Sequence, residues 1–140
     1  MNTEMHRVMG LDLGERRIGI ALSDIMGIIA NGYESYTRER LNRDLEHIVN
    51  ICKEKNVELI VIGLPMSMNG TRGEAVDKVE FFVSKLKEKT PIKIDFYDER
   101  LTTATAQKLL ISADVSREKR KQVIDKMAAT IILQDYLNSH

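Results

Sequence analysis

Three acidic positions fall where carboxylates are not needed for solubility. Asp12 lies in Gly10-Leu11-Asp12-Leu13-Gly14, near the end of an apolar run that reads as a strand. A carboxylate in a central strand costs free energy unless it is paired or binds a cation. The glycines on either side leave the backbone open to a close-approaching ligand. A turn-capping Asp at a hairpin is the alternative, but Asp12 precedes the turn by two residues. Asp98-Glu99 closes a later strand, and in mixed α/β sheets ligands collect beyond the carboxyl ends of parallel strands. Capping of the next helix is the alternative there, although Thr102 or Thr103 could do that. Asp125 precedes Ala128, Ala129 and Ile132 at helical spacing, which puts it on or beside an apolar face. Its alternative is a boundary Asp paired with Lys121 or Arg120.

Together the three acids suggest a hard-cation site for Mg²⁺ or Mn²⁺, which prefer carboxylate oxygens and retained waters. Two such ions about 4 Å apart can activate a water and stabilise the leaving oxygen of a phosphodiester. His6, His47 and His140 are scattered and Cys52 is the single cysteine, so no zinc cluster competes. The loop from Gly63 to Thr71 lacks the Lys-Ser/Thr ending of a Walker loop. Basic residues gather near each acid: Arg16 and Arg17 after Asp12, Arg72 on the glycine loop, Arg100 after Glu99, and Arg117, Lys119, Arg120 and Lys121 before Asp125. They could hold phosphates around a metal site. The bland reading of the last group is a solvated helix start.

The elements that must position these residues follow from periodicity. Val8–Leu13 and Ile18–Ser23 read as a hairpin across Gly14–Arg17, and a third, irregular strand starts at Ile28 and breaks at Asn31-Gly32. Leu41, Leu45, Ile48, Val49 and Cys52 mark an amphipathic helix over Asn42–Lys55. Leu59–Ile62 reads as a strand buried on both faces. Val76, Val79, Val83 and Leu86 mark a second helix, stopped at Thr90-Pro91, and Ile92–Tyr97 is a fifth strand. Thr102–Ala113 and Arg117–Leu137 read as two more helices. The order βββαβαβαα gives an α/β fold with a five-stranded mixed sheet flanked by helices, the ribonuclease H-like architecture.

Composition narrows the classes. The 140 residues are 43% apolar and 30% charged, enough for one domain over 1–140 and too apolar for a disordered chain. No apolar run approaches the roughly 20 residues of a membrane span. The first ten residues show no signal peptide, and one cysteine forms no internal disulfide, so the expectation is a reduced, cytoplasmic protein without a membrane partner. Lys+Arg and Asp+Glu are 21 each, which argues against a binder driven by bulk positive charge. Aromatics are 5% with no Trp, so no base-stacking platform is suggested.

At these residues the chain resembles the YqgF/RuvX family, described as Holliday junction resolvases and as nucleases of small-subunit ribosomal RNA precursors. Gly10–Gly19 with Ser23-Asp24 is similar to its first motif. Val61–Pro65 continuing to Gly70-Thr71 is similar to the second, and Asp98–Thr103 followed by Asp125–Ala129 to the third. The resemblance runs from Val8 to Leu137 and implies a ribonuclease H-like fold. It also implies Asp12, Glu99 and Asp125 as catalytic, metal-binding acids, with Asp98 as fallback for Glu99. Leu13 stands where the family often has an aromatic, and Asn69 where it often has Asp. The leading expectation is a metal-dependent endonuclease acting at the 5′ end of pre-16S rRNA, with the ribosomal small subunit as a possible partner. A resolvase of branched DNA is the alternative and calls for a dimer with two sites; the expected state is a monomer or weak dimer. A non-catalytic assembly factor with structural acids is the third reading. The Asp12-Leu13-Gly14 turn is also similar to the phosphate turn of actin-like kinases, but those need two such domains.

Overall fold

The computed structural model describes residues 6–64, 73–98 and 117–139, with the backbone alone over 117–125. Five strands and three helices follow in the order β1 (Arg7–Leu13), β2 (Arg17–Ser23), β3 (Ala30–Thr37), α1 (Leu41–Lys55), β4 (Val57–Leu64), α2 (Glu74–Lys89), β5 (Lys93–Asp98) and α3 (Arg117–Ser139). The helix expected over 102–113 lies outside the described residues. The strands form one sheet in the order β3-β2-β1-β4-β5. β1 runs antiparallel to β2 and parallel to β4; β2–β3 is antiparallel and β4–β5 parallel. Short turns force the antiparallel half, and helical crossovers permit the parallel half. The central strand is β1, so Asp12 does sit in the middle of the sheet.

Two turns set the hairpins. Gly14 N–H donates to the Arg17 carbonyl at 2.9 Å, and a Cβ at Gly14 would stand 2.7 Å from that oxygen. Only glycine closes the turn so tightly. Between β2 and β3, the Asp24 carboxylate accepts from the amides of Ile28 (2.7 Å), Ile29 (2.8 Å) and Met26 (3.2 Å). These amides, Ile29 foremost and then Ile28, hold the Asp24 carboxyl below the usual carboxylate range.

The third strand departs from expectation. It begins at Ala30 and is not broken at Asn31-Gly32. The register steps from Ile20↔Glu34 to Ala21↔Gly32, so Tyr33 is the extra residue of a bulge. Gly32 serves a different purpose from strand breaking. A Cβ there would lie 2.8 Å from Lys126 Cγ of α3.

The two faces of the sheet are filled differently. On one, Met9, Leu11, Ile20, Ile60 and Ile62 pack against Leu45 and Ile48 of α1 and Phe82 and Leu86 of α2. Cys52 belongs to this core, and burial pushes its thiol up to about 12. On the other face, α3 lies on small residues: Ala21 and Ala30 meet Ala129 and Leu133. Val61 meets Ile132 and Tyr136. Helix α1 ends at Asn56, whose left-handed backbone (φ 57°) returns its N–H to the Cys52 carbonyl.

Candidate metal and nucleic-acid site

Asp12 stands one residue from the end of β1, opposite Gly19 of β2. Side chains alternate along a strand, so Asp12 shares the face of Gly10. That face is the one covered by α3: a Cβ at Gly10 would stand 2.8 Å from Leu133 Cβ and 3.0 Å from the Ala129 carbonyl oxygen. Asp12 is 9% exposed, in a layer of small residues instead of on the surface. Its carboxylate is an oxygen donor in a sparsely hydrated place, with a residue that lacks a side chain directly across the ladder.

The other acids divide. Asp98 is exposed at the end of β5, paired in register with Leu64. It shares the face of Ile94 and Phe96, which pack on the α1/α2 core. Asp95 and Tyr97 point to the α3 side, where Asp95 accepts from the Tyr136 hydroxyl at 2.8 Å. Burial first, and then that hydrogen bond, raises the Tyr136 phenol above its ordinary range. Asp125 is a helical residue of α3, one turn before Ala128 and Ala129, both fully buried as the sequence pattern implied. Its side chain lies outside the described residues, as does the whole of Glu99. Among the described residues no three metal-ligating side chains gather.

Of the basic residues, Arg16 is exposed at the β1–β2 turn and Arg17 is half-buried at the start of β2. Arg72 and Arg100 lie outside the described residues; so do the side chains of Arg117, Lys119, Arg120 and Lys121, whose backbone forms the first turns of α3. A cavity of about 350 Å³ opens beside the same turn, lined among others by Leu13, Gly14, Arg38, Lys78 and Phe82. It lies on the α1/α2 side and does not include Asp12.

One half-buried charged pair was not anticipated. Asp44 of α1 is 1% exposed. It accepts from Arg38 Nε (3.1 Å), the Tyr36 hydroxyl (3.0 Å) and the Glu39 amide (2.9 Å). The signal was present: position 44 is three after Leu41 and four before Ile48, inside the apolar stripe.

A family model described as Holliday junction resolvase, RuvX, matches residues 6–139. The chain belongs to the RuvX family. A relative from Desulforamulus reducens named "Putative pre-16S rRNA nuclease" is 51% identical over 133 residues, 95% of this chain and 97% of that one. Another of that name, from Heliobacterium modesticaldum, is 50% identical over 133 residues, 95% of this chain and 89% of its own. Among solved structures, Thermus thermophilus RuvC in complex with a Holliday junction substrate superposes with a TM-score of 0.57 at 11% identity, covering 96% of this chain and 94% of RuvC. The fowlpox virus resolvase bound to Holliday junction DNA gives 0.59 at 10% identity, covering 95% and 97%. These likenesses carry the fold, and this RuvX member has the ribonuclease H-like architecture that its element order implied.

Proposed function

We propose that the protein is a divalent-metal-dependent endonuclease that hydrolyses phosphodiester bonds at the 5′ end of pre-16S rRNA. The observation that carries this reading is the register of α3 on β1. Gly10 meets Ala129 and Leu133; on β3, which runs with β1, Ala30 bonds Gln134 while Gly32 meets Lys126 and Thr130, so the helix runs antiparallel to both strands. Two residues along β1, from Gly10 to Asp12, cover roughly 6.6 Å. Four residues back along the helix, from Ala129 to Asp125, cover roughly 6 Å. The arithmetic supports Asp125 as the helical partner of Asp12. The alternation of β5 supports Glu99 over Asp98 as the third acid. Asp98 shares a face with Phe96, away from α3, which disfavours it as the third acid.

Asp12, Glu99 and Asp125 would then hold Mg²⁺ or Mn²⁺, which when bound supply an activated water and charge stabilisation at the leaving oxygen. All three offer the hard oxygen donors these ions prefer. The chain's own residues do the rest. Asp12 is fixed on the most enclosed strand of the sheet, so its orientation does not have to be found at the moment of reaction. Arg16, exposed across the turn, would grip a phosphate of the bound strand. Arg17, Arg72, Arg100, Arg117, Lys119, Arg120 and Lys121 extend that grip.

The RNA substrate is supported by the names of relatives at about half identity. The description of the family model favours a second reading, a resolvase of branched DNA. One assay separates them: a 5′-extended small-subunit rRNA precursor and a four-way DNA junction, each with Mg²⁺, Mn²⁺ or chelator, and with Asp12→Asn beside the wild type. Metal-dependent cutting of the RNA, lost in Asp12→Asn, is expected. Cutting of the junction alone selects the second reading, and undiminished cutting by Asp12→Asn overturns both.

A further inference from the structure

The β1–β2 turn that follows Asp12 is held by one residue. Arg38 Nη1 donates to the Gly14 carbonyl at 2.9 Å, and the Arg38 amide donates to the Arg16 carbonyl at 2.8 Å. The same guanidinium donates through Nε to Asp44, and it lies 5.4 Å over the Phe82 ring of α2. Asp44 is itself held by Tyr36 and Glu39. A charge pair thus ties the turn to α1, α2 and the end of β3.

Stability alone gives a weak reason for this arrangement. Apolar replacements of buried ion pairs are often neutral or stabilising. What the pair does supply is a fixed direction. The planar guanidinium makes two bonds from separate nitrogens at a set angle, one to Asp44 and one to the turn; an ammonium has three donors but on one freely rotating nitrogen, with no fixed fork to span both acceptors. The carbonyl it grips belongs to Gly14, two residues beyond Asp12, while the Arg16 carbonyl is held by the Arg38 backbone amide.

We propose that Arg38 is a positioning residue for the Asp12 site: anchored on Asp44, it holds the end of β1 and the Arg16 turn in one rigid frame. This rests on the nuclease reading above, with Asp12 as a metal ligand.

The first variant is Arg38→Lys, which keeps the charge beside Asp44 but loses the fork. Mn²⁺ binding to the protein alone is measured by calorimetry, well below the melting temperature. We expect the affinity to fall about 10-fold or more, the scale seen when groups that orient a ligand are removed. The kcat on pre-rRNA should fall with it, and KM less. Glu15→Gln in the same turn, whose carboxylate among the described residues pairs with the exposed Lys78 at 3.7 Å, should change neither. Wild-type Mn²⁺ affinity in Arg38→Lys, with only a lower melting temperature, overturns the proposal. If Arg38→Lys does not fold, Tyr36→Phe decides: a severalfold fall in affinity supports the proposal and an unchanged affinity overturns it. Asp12→Asn separates the two levels. Mn²⁺ binding that survives Asp12→Asn sinks the nuclease reading. Binding lost in Asp12→Asn but intact in Arg38→Lys sinks the positioning role alone.

Discussion

Around Asp12 the two faces of the sheet differ in residue size. Toward α1 and α2 the strands present Met9, Leu11, Ile18, Ile20, Ile60 and Ile62. Toward α3 they present Gly10, Ala21, Ala30 and Gly32, met by Ala129 and Leu133, with Val61 on Ile132 farther along the sheet. Large side chains remove more apolar area from water, and that area is what stabilises a fold. Small ones contribute little area but bring backbones close. The first face therefore carries stability, and the second sets the distance between Asp12 and α3. A change on either face should be felt in its own currency.

The sharpest test of that division is Asp12→Asn. Cleavage should fall by more than the roughly 100-fold typical of losing a group that merely orients a ligand. The variant should still fold and melt cooperatively, so that the loss reads on activity; a large drop in melting temperature would make Asp12 a structural acid. Leu11→Ala, one residue away on the opposite face, should do the reverse. It should cost about 2–5 kcal/mol in denaturant unfolding, while activity per folded molecule stays near wild type. Gly10→Ala should touch both properties. Its Cβ meets Leu133 Cβ at 2.8 Å, so α3 must move; overpacking of this kind costs about 1–3 kcal/mol. A shift near 1 Å at a site can cost about 100-fold in rate. Full activity in Gly10→Ala would mean that the close approach does not set the site.

Two smaller effects belong to the ends of the comparison. Cys52 lies in the large-residue core with its thiol raised to about 12 by burial. In the unfolded chain the thiol ionises near its ordinary value of 9.0. Stability from this group is complete below that value and declines as pH rises toward about 12. Cys52→Ala should flatten that decline in melts across the alkaline range, and the native thiol should resist alkylation until the protein unfolds. Asp24, exposed, has its pKa lowered by the Ile29 and Ile28 amides. Its contribution is present at neutral pH and lost as acid protonates it. Asp24→Ala should speed amide exchange at Ile28 and Ile29 while leaving β1 protected.

How far the sequence could be read depends on how local each cause is. The alternation of Gly10, Asp12 and the apolar residues between them is local, so β1 and its central place were legible. So were α1, from its stripe, and the stop at Thr90-Pro91, where the chain turns extended. The Asn31-Gly32 pair misled because the same glycine signals a break or a close approach, and only α3, a hundred residues on, decides between them. Asp44 gives the sharper lesson. It and Asp125 carry the same signal, an acid beside an apolar stripe. Yet Asp44 is fully engaged with Arg38, Tyr36 and an amide. The stripe alone therefore does not separate an acid that works on a substrate from one that braces a turn. That distinction needs the tertiary partner.

The position of α3 in the chain has a kinetic consequence. It follows all five strands in sequence, yet it packs on β1, β2, β3 and β4. During synthesis, which proceeds from the N-terminus at roughly 5–20 residues per second, the strands exist before the helix that covers them. Until α3 docks, one side of the sheet is open and Asp12 has no helical neighbour. The close packing of Gly10 and Gly32 on α3 can therefore form only once residues 126–133 have been made.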